Sequence, residues 1–411
     1  MRQEKGRRTS RLWRVARSVL ITLAAVFFGG WLVVNLSPAF GARPAGERQG
    51  RIEQSPQWHG DRFQNPDRMW SDTSALTILG MLKDVPASAP VAPVPYAHDT
   101  ARRLAIAPRS GLRITWFGHS WTLVEIDGIR VLIDPIESLR ASPFQFVGPE
   151  RWFPPPMPLS ALLDVDVVVI SHDHYDHLDM GSIKTLAAGK ARFVLPLGVG
   201  AHLARWGVAP DRITELDWWE TAKVGDVALT LTPARHASGR VNPQRNRTLW
   251  GGYAMVGPQH RVWYSGDTGL TGQFKAVGER FGPFDVTLIE SGQYDARWPD
   301  WHIGPEQAVQ ANLWARGKLM IPVHWGLFKL ARHGWTEPAE RVLAAARCAN
   351  VAVATPKPGL PFEPALDSSP RWWPESVWSG PEQTPIVATR NGQKSAVYSL
   401  QFKPDCNRPH H

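Results

Sequence analysis

The chain has 411 residues, 43% of them hydrophobic, which is enough for one large or two ordinary domains with a sizeable core. Its formal net charge is +9, but Arg2, Lys5, Arg7, Arg8, Arg11, Arg14 and Arg17 against Glu4 hold +6 of it within the first eighteen residues, so the near-balanced body gives no reason to expect nucleic acid as a partner. Two cysteines, Cys348 and Cys406, allow at most one disulfide, and with no Cys-x-x-Cys pair they exclude a zinc ribbon or a thioredoxin-type site.

Residues 1–17 form the basic segment, expected in the cytoplasm. Residues 18–36 carry the apolar run from Val19 to Val34, and about 20 such residues span a bilayer. Positive charge before the run predicts that the remainder lies outside the cytoplasm, periplasmic or extracellular. A cleaved signal is the rival reading, with Ala39-Phe40-Gly41 as a small-residue cleavage site. The run exceeds the roughly 7 to 15 residues of a signal core, which favours a retained transmembrane anchor. Residues 37–112 read as an irregular extension, with an ordered segment at 57–66 and a Pro-Ala linker at 85–95.

Regular structure is expected from residue 113. Residues 113–120 and 121–126 read as strands, Asp127-Gly128 as a hairpin turn, and 129–133 as a third strand ending at Asp134-Pro135. His119 and Asp134 therefore sit where strands run out. Asp134 suits either a second-layer role, accepting the free ring N–H of a metal-bound histidine, or a helix or turn cap.

The buried strand at 164–170 runs into Ser171-His172-Asp173-His174-Tyr175-Asp176-His177-Leu178-Asp179. His172 and His174, two apart, point the same way while the chain is extended. Asp176 and His177 follow where it must turn, so they can face a second centre. One loop could thus give two ligands to each of two metals, and imidazole with carboxylate suits zinc or another divalent metal. A solvated polar loop is the bland alternative, but such crowding after an apolar strand is rarely accidental.

Short helices are expected at 182–189 and 200–206, a strand at 193–197, and another ending in Glu215-Leu216-Asp217-Trp218-Trp219 before a turn at 223–226. The alternating strand 227–233 delivers His236, the pair 250–256 and 262–264 delivers Asp267, and 286–290 is a further buried strand. A helix spans 305–315, with Pro305 at its start. The strand at 320–323 carries His324, and Cys348 reads as a helix-packing residue. A lone histidine is more often a packing residue than a ligand. Its recurrence at four strand ends reverses that expectation.

These blocks resemble the metallo-β-lactamase superfamily, marked by His-x-His-x-Asp-His and a distant His, Asp and His. More narrowly, they resemble the branch of N-acyl-phosphatidylethanolamine-hydrolysing phospholipase D and its bacterial relatives. The likeness rests on Trp116-Phe117-Gly118-His119-Ser120, Asp134-Pro135-Ile136, Ser142-Pro143, the 170–179 block, 215–219, Ser265-Gly266-Asp267-Thr268-Gly269, 280–285 and His324-Trp325-Gly326.

The resemblance implies an α/β fold, the αββα sandwich, as a hydrolase domain at 113–357. It implies two zinc ions: one on His172, His174 and His236, the other on Asp176, His177 and His324, with Asp267 bridging. Asp176 and Asp267 would be catalytic, with His119 and Asp134 second-layer. His302, which matches a histidine near the substrate in the phospholipase branch, would bind the phosphate or help the leaving group, or else is a polar residue at a helix N-terminus. Trp298 and Trp301, flanking the expected mouth, are substrate-binding candidates that could hold an acyl chain or simply pack. The expected activity is phosphodiester hydrolysis on N-acylated phospholipids or related lipids. A lactonase, a soluble phosphodiesterase and a non-catalytic envelope scaffold are the alternatives. True β-lactamases carry cysteine or serine where Asp267 stands, and His174 speaks against a di-iron redox site. Small residues follow His236, where the animal lipid enzyme has bulkier ones. The irregular tail at 358–411 could dock, bind a partner or move, and the sequence leaves the oligomeric state open.

Overall fold

In the computed structural model, residues 2–72, 74, 85, 87–241 and 245–404 are described. Helix α1 (Arg2–Leu36) is continuous through the basic and apolar segments. Its stretch Ala16–Leu36 is long and apolar enough to cross a membrane and is unburied. The extension that follows is less irregular than its composition implies. It contains α2 (Glu47–Glu53), a small hairpin of β1 (Trp58–His59) and β2 (Arg62–Phe63), and α3 (Thr100–Leu104).

Two sheets make the body. The six-stranded sheet runs in order through β3 (Leu112–Gly118), β4 (Trp121–Ile126), β5 (Ile129–Ile133), β6 (Val167–Val169), β7 (Arg192–Pro196) and β8 (Ile213–Leu216). It is antiparallel as far as β5 and parallel beyond. The parallel strands are joined through α4 (Met180–Ala187) and α5 (Gly200–Arg205), as parallel pairing requires a crossover.

The seven-stranded sheet begins as an antiparallel meander of β9 (Thr221–Val224), β10 (Val227–Thr232), β11 (Gly252–Val256) and β12 (Arg261–Tyr264). It continues in parallel through β13 (Phe284–Glu290), β14 (Gly317–Val323) and β15 (Ala352–Val353). Helices α6 (Gln273–Phe281), α7 (Pro305–Ala315) and α8 (Glu337–Ala349) connect these. The turn expected at 223–226 is shorter: residues 223 and 224 pair within β9 against β10.

One apolar core lies between the sheets, joining Val124, Leu132, Val168 and Val194 to Leu229, Leu231, Met255 and Val286. Tyr253 crosses it, its hydroxyl 3.0 Å from Ile170 O and 3.1 Å from Val194 O. A second core packs α6, α7 and α8 on the outer face of the larger sheet, around Trp263, Phe274, Val309 and Val342. The result is the αββα sandwich.

The C-terminal segment docks on this body. Phe362 pairs with Ile114, and Trp372 stacks on Trp325 with ring centroids 5.6 Å apart. Cys348 differs from the packing role expected of it: it is disulfide-bonded. Cys406, the only other cysteine, lies outside the described residues.

Candidate metal centre

The site lies along one edge of both sheets, where strands run out into loops. After β6 the chain passes through Ser171 to His172, then turns tightly, with His177 N and Leu178 N both donating to His174 O at 3.1 and 2.8 Å. Asp179 ends the turn as the N-cap of α4, accepting from Gly181 N and Ser182 N. Strand β10 leads to His236, β12 to Asp267, β13 to Glu290 and β14 to His324. At Gly266 (φ +62°) a Cβ would come within 2.4 Å of Gly251 O, so only glycine lets the chain reach Asp267 by this path.

The ends of β3 and β14 meet across the two sheets. His119 N donates to Trp325 O at 2.9 Å and His324 N to His119 O at 2.8 Å. His119 (φ 54°), Asp134 (φ 39°) and His324 (φ 65°) all hold positive φ without being glycine. Such backbone costs energy and gathers at functional sites, where surrounding structure enforces it.

Two donor groups converge here. In the first, His172 Nε2 lies 2.8 Å from His174 Nδ1, and His236 Nε2 lies 3.4 Å from the same atom. The second gathers His119, Asp176, His177 and His324. Asp267 stands between them: Oδ2 is 3.0 Å from His177 Nε2, 3.8 Å from His172 Nε2 and 3.9 Å from His236 Nε2. Its Oδ1 is 2.6 Å from His324 Nδ1.

His119 Nε2 lies 2.9 Å from Asp176 Oδ2. Asp134 Oδ2 lies 2.8 Å from His177 Nδ1 and accepts from Tyr264 Oη at 2.6 Å, while Asp134 Oδ1 accepts from Ser171 N at 2.8 Å. His302 Nδ1 is 2.9 Å from Glu290 Oε2. Trp301 lies directly beside the first group, its carbonyl 3.0 Å from His236 Nδ1. Trp298 instead turns to its own loop, donating from Nε1 to Gln293 O at 3.1 Å.

The electrostatics suit a cation. Burial, reinforced by neighbouring imidazoles, holds His172 and His236 well below the usual histidine range, and burial also lowers His174. Burial takes His324 down to about 3 despite Asp267. Neutral imidazoles are the form that binds a metal. Burial opposes the charge on Asp176 and Asp267, but the surrounding histidines, His177 foremost, hold both carboxyls well below their ordinary value. Burial likewise lowers His177, yet in the metal-free protein Asp267 and Asp176 override it and raise this imidazole well above its ordinary value. Positive charge is therefore demanded between the two carboxylates. His177 Nε2 and His324 Nε2 are also buried without a hydrogen-bond partner, a costly state for polar nitrogen unless an ion takes the lone pair. The residues fit a metal.

Glu290 belongs to none of the sequence motifs. Burial, with Asp267 adding to it, pushes its carboxyl up to about 8 against the pull of His302. The rule of a polar residue at a buried strand's end would have found it, since it closes β13 as Asp267 follows β12.

Residues 129–325 match the model of the Beta-lactamase superfamily domain. The chain is 45% identical to an uncharacterised protein of Mycobacterium tuberculosis over 363 residues, 85% of this chain and 96% of that one. It is 37% identical to N-acyl-phosphatidylethanolamine-hydrolyzing phospholipase D 1 of Caenorhabditis elegans over 246 residues, 57% of this chain and 69% of the relative. The solved structure of Igni18, a metallo hydrolase from Ignicoccus hospitalis, is 25% identical and covers 61% of this chain and 98% of its own, with a TM-score of 0.48. Fold, sequence match and donor groups together define a metal-dependent hydrolase of the metallo-β-lactamase superfamily. Within that superfamily the chain belongs to the branch of the N-acyl-phosphatidylethanolamine-hydrolysing phospholipases D.

Proposed function

We propose that this protein is a binuclear zinc phosphodiesterase acting on N-acyl-phosphatidylethanolamine-like lipids, held at a membrane by α1 with its hydrolase body outside the cytoplasm. The observation that carries the reading is Asp267, whose two carboxylate oxygens reach both donor groups. His172, His174 and His236 would hold one ion, Asp176, His177 and His324 the other, with Asp267 shared. Two divalent cations there would supply a water acidic enough to ionise near neutral pH, and positive charge to meet the phosphoryl oxygens.

The chain's own groups divide the remaining work. Hydrolysis adds hydroxyl to phosphorus and a proton to the departing alcohol, giving phosphatidic acid and an N-acylethanolamine. Asp176 is the carboxylate that would accept a hydrogen bond from the attacking water and orient it, and would receive its proton. Glu290 holds His302 by Nδ1, leaving Nε2 as the nitrogen able to donate to a phosphoryl or leaving oxygen. Burial lowers His302, but Glu290 more than offsets it, so the ring keeps its proton to higher pH than usual. Trp301, its ring centroid 5.9 Å from that of His236, would give apolar surface to an acyl chain.

Metal analysis with product identification tests the reading. The full chain should carry about two zinc ions and release phosphatidic acid from N-acyl-phosphatidylethanolamine, and Asp267→Asn should abolish both. Lactone opening without phosphatidic acid would replace it with a lactonase. No turnover on a panel of lipid and soluble esters, with Asp267→Asn unchanged in every measured property, would leave a scaffold.

A further inference from the structure

Residues 37–42, which follow α1, are fastened to the body rather than left as a tether. Trp206 Nε1 donates to Pro38 O at 2.7 Å, and Arg240 Nε and Nη2 donate to Ala39 O at 3.1 and 3.0 Å. Ala42 N donates to His202 Nδ1 at 2.9 Å, and Arg205 reaches Gly41 O. A Cβ at Gly41 (φ +72°) would lie 1.9 Å from His202 Nδ1, so the chain is pressed against the body there. The direction in which α1 leaves is thereby fixed.

Beside that exit stands an apolar loop. Phe40 meets Phe144 edge-on at 5.8 Å, and Phe144 stacks on Phe146 at 5.4 Å. Phe146 is 82% exposed, Val147 52% and Leu139 47%. Among the described residues outside α1, Phe146 is the one phenylalanine or tryptophan left exposed. Looseness does not account for this, because Arg140 braces the loop from within, donating to Gln145 O at 3.2 Å and Gly148 O at 2.7 Å and pairing with Glu150. A built loop that holds an aromatic ring in water points to an apolar partner.

The loop also borders the candidate site. Its first residue, Leu139, follows by five positions Asp134, which contacts His177. It closes at Trp152, whose N donates to Leu327 O at 3.0 Å, three residues beyond His324.

We infer that residues 139–148 dock into the leaflet that α1 leaves, setting Phe146 and Val147 among the headgroups and upper acyl chains of a phospholipid bilayer, so that the site is held near the lipid surface. Continuity carries the choice of partner: the apolar loop touches Phe40, four residues beyond the end of the apolar helix, through Phe144, and both helix and loop are exposed. The inference rests on the proposed membrane anchor and deepens it, since a lipid substrate could then enter without crossing water.

The full chain reconstituted in phosphatidylcholine and phosphatidylethanolamine vesicles tests it, with an environment-sensitive dye on Phe146→Cys, Phe27→Cys or Leu366→Cys in turn. Position 27 reports insertion of α1, and position 366 lies on the segment beside Phe362, which pairs with β3. Nitroxide-labelled lipids should quench the probes at 27 and 146 by about twofold or more and leave 366 bright. Quenching at 27 with 146 as bright as 366 overturns this inference and leaves the anchor standing. Quenching at neither 27 nor 146 overturns both. Quenching at 146 alone removes the anchor and overturns the inference as stated, since the leaflet is set by α1.

Discussion

Asp134 Oδ2 lies 2.8 Å from His177 Nδ1, and the opposite nitrogen of that ring, Nε2, is buried without a hydrogen-bond partner 3.0 Å from Asp267 Oδ2. A carboxylate accepting from Nδ1–H fixes the tautomer whose Nε2 lone pair faces a metal. Asp134→Asn keeps the shape and removes the charge. It should weaken metal affinity about 10- to 100-fold, read by competition with a chromophoric zinc chelator. Wild-type affinity in the variant would mean that Asp134 only ties the loop.

Glu290 and His302 predict a pH dependence. In the metal-free protein, burial raises the Glu290 carboxyl from 4.5 to about 8, and Glu290 in turn raises His302 against the effect of burial. Both groups bind protons more tightly folded than unfolded. The Glu290 contribution is therefore full below about pH 4.5 and lost as pH rises toward 8, while that of His302 is full below 6.5 and lost as pH rises through its raised folded value. Melting temperature of chelator-treated protein should fall across that window, and Glu290→Gln should flatten the fall. The same variant should lower turnover with little change in bound metal, because His302 loses a fixed partner. A variant with unaltered slope and turnover would remove Glu290 from the account.

Much of this arrangement is legible in the amino-acid sequence. The buried runs ending in His172, His236, Asp267 and His324 announce both the strands and the edge on which they converge, because alternation and apolar content are properties of local sequence. Boundaries are less so: α4 starts at Met180 rather than 182, because Asp179 caps it. His119 reads as an outer residue, and its closeness to Asp176 depends on β3 meeting β14 across the sandwich, which no local pattern encodes. The docking of Trp372 and Trp373 around Trp325 is equally hidden, since an irregular segment takes its place from tertiary contacts alone.

Arg235 and Asp300 form a buried pair beside the site, Nη2 to Oδ2 at 3.1 Å. Arg235 precedes His236 and Asp300 precedes Trp301, so the pair joins the two loops that meet at the His236 Nδ1 contact with Trp301 O. Asp300 also accepts from Trp70 N at 2.7 Å and from Thr389 Oγ1 at 2.6 Å, drawing in both flanking segments. Removing one partner leaves a buried charge. Arg235→Met should cost about 3 to 5 kcal/mol in urea unfolding. A loss below about 1 kcal/mol, the range of an exposed pair, would show that the junction is not cooperative with the fold.

Asp173 lies between His172 and His174 yet turns away from both donor groups. Its Oδ2 is 3.1 Å from His202 Nε2, and Gly239 N donates to its Oδ1 at 2.5 Å. Burial works against its charge, but the hydrogen bond from His202 Nε2, with Arg240 nearby, holds it at about 2 against an ordinary 3.8. The folded value is the lower one, so this stabilisation is present above pH 3.8 and is lost as pH falls from there toward 2. Converted at about 1.4 kcal/mol per unit, the difference is about 2 kcal/mol. Asp173→Asn should therefore lose about 2 kcal/mol at pH 7, and its stability should change less than that of the parent between pH 4 and 2. Equal unfolding free energies for the two proteins at pH 7, measured without metal, would show that Asp173 contributes nothing to the turn that presents His172 and His174.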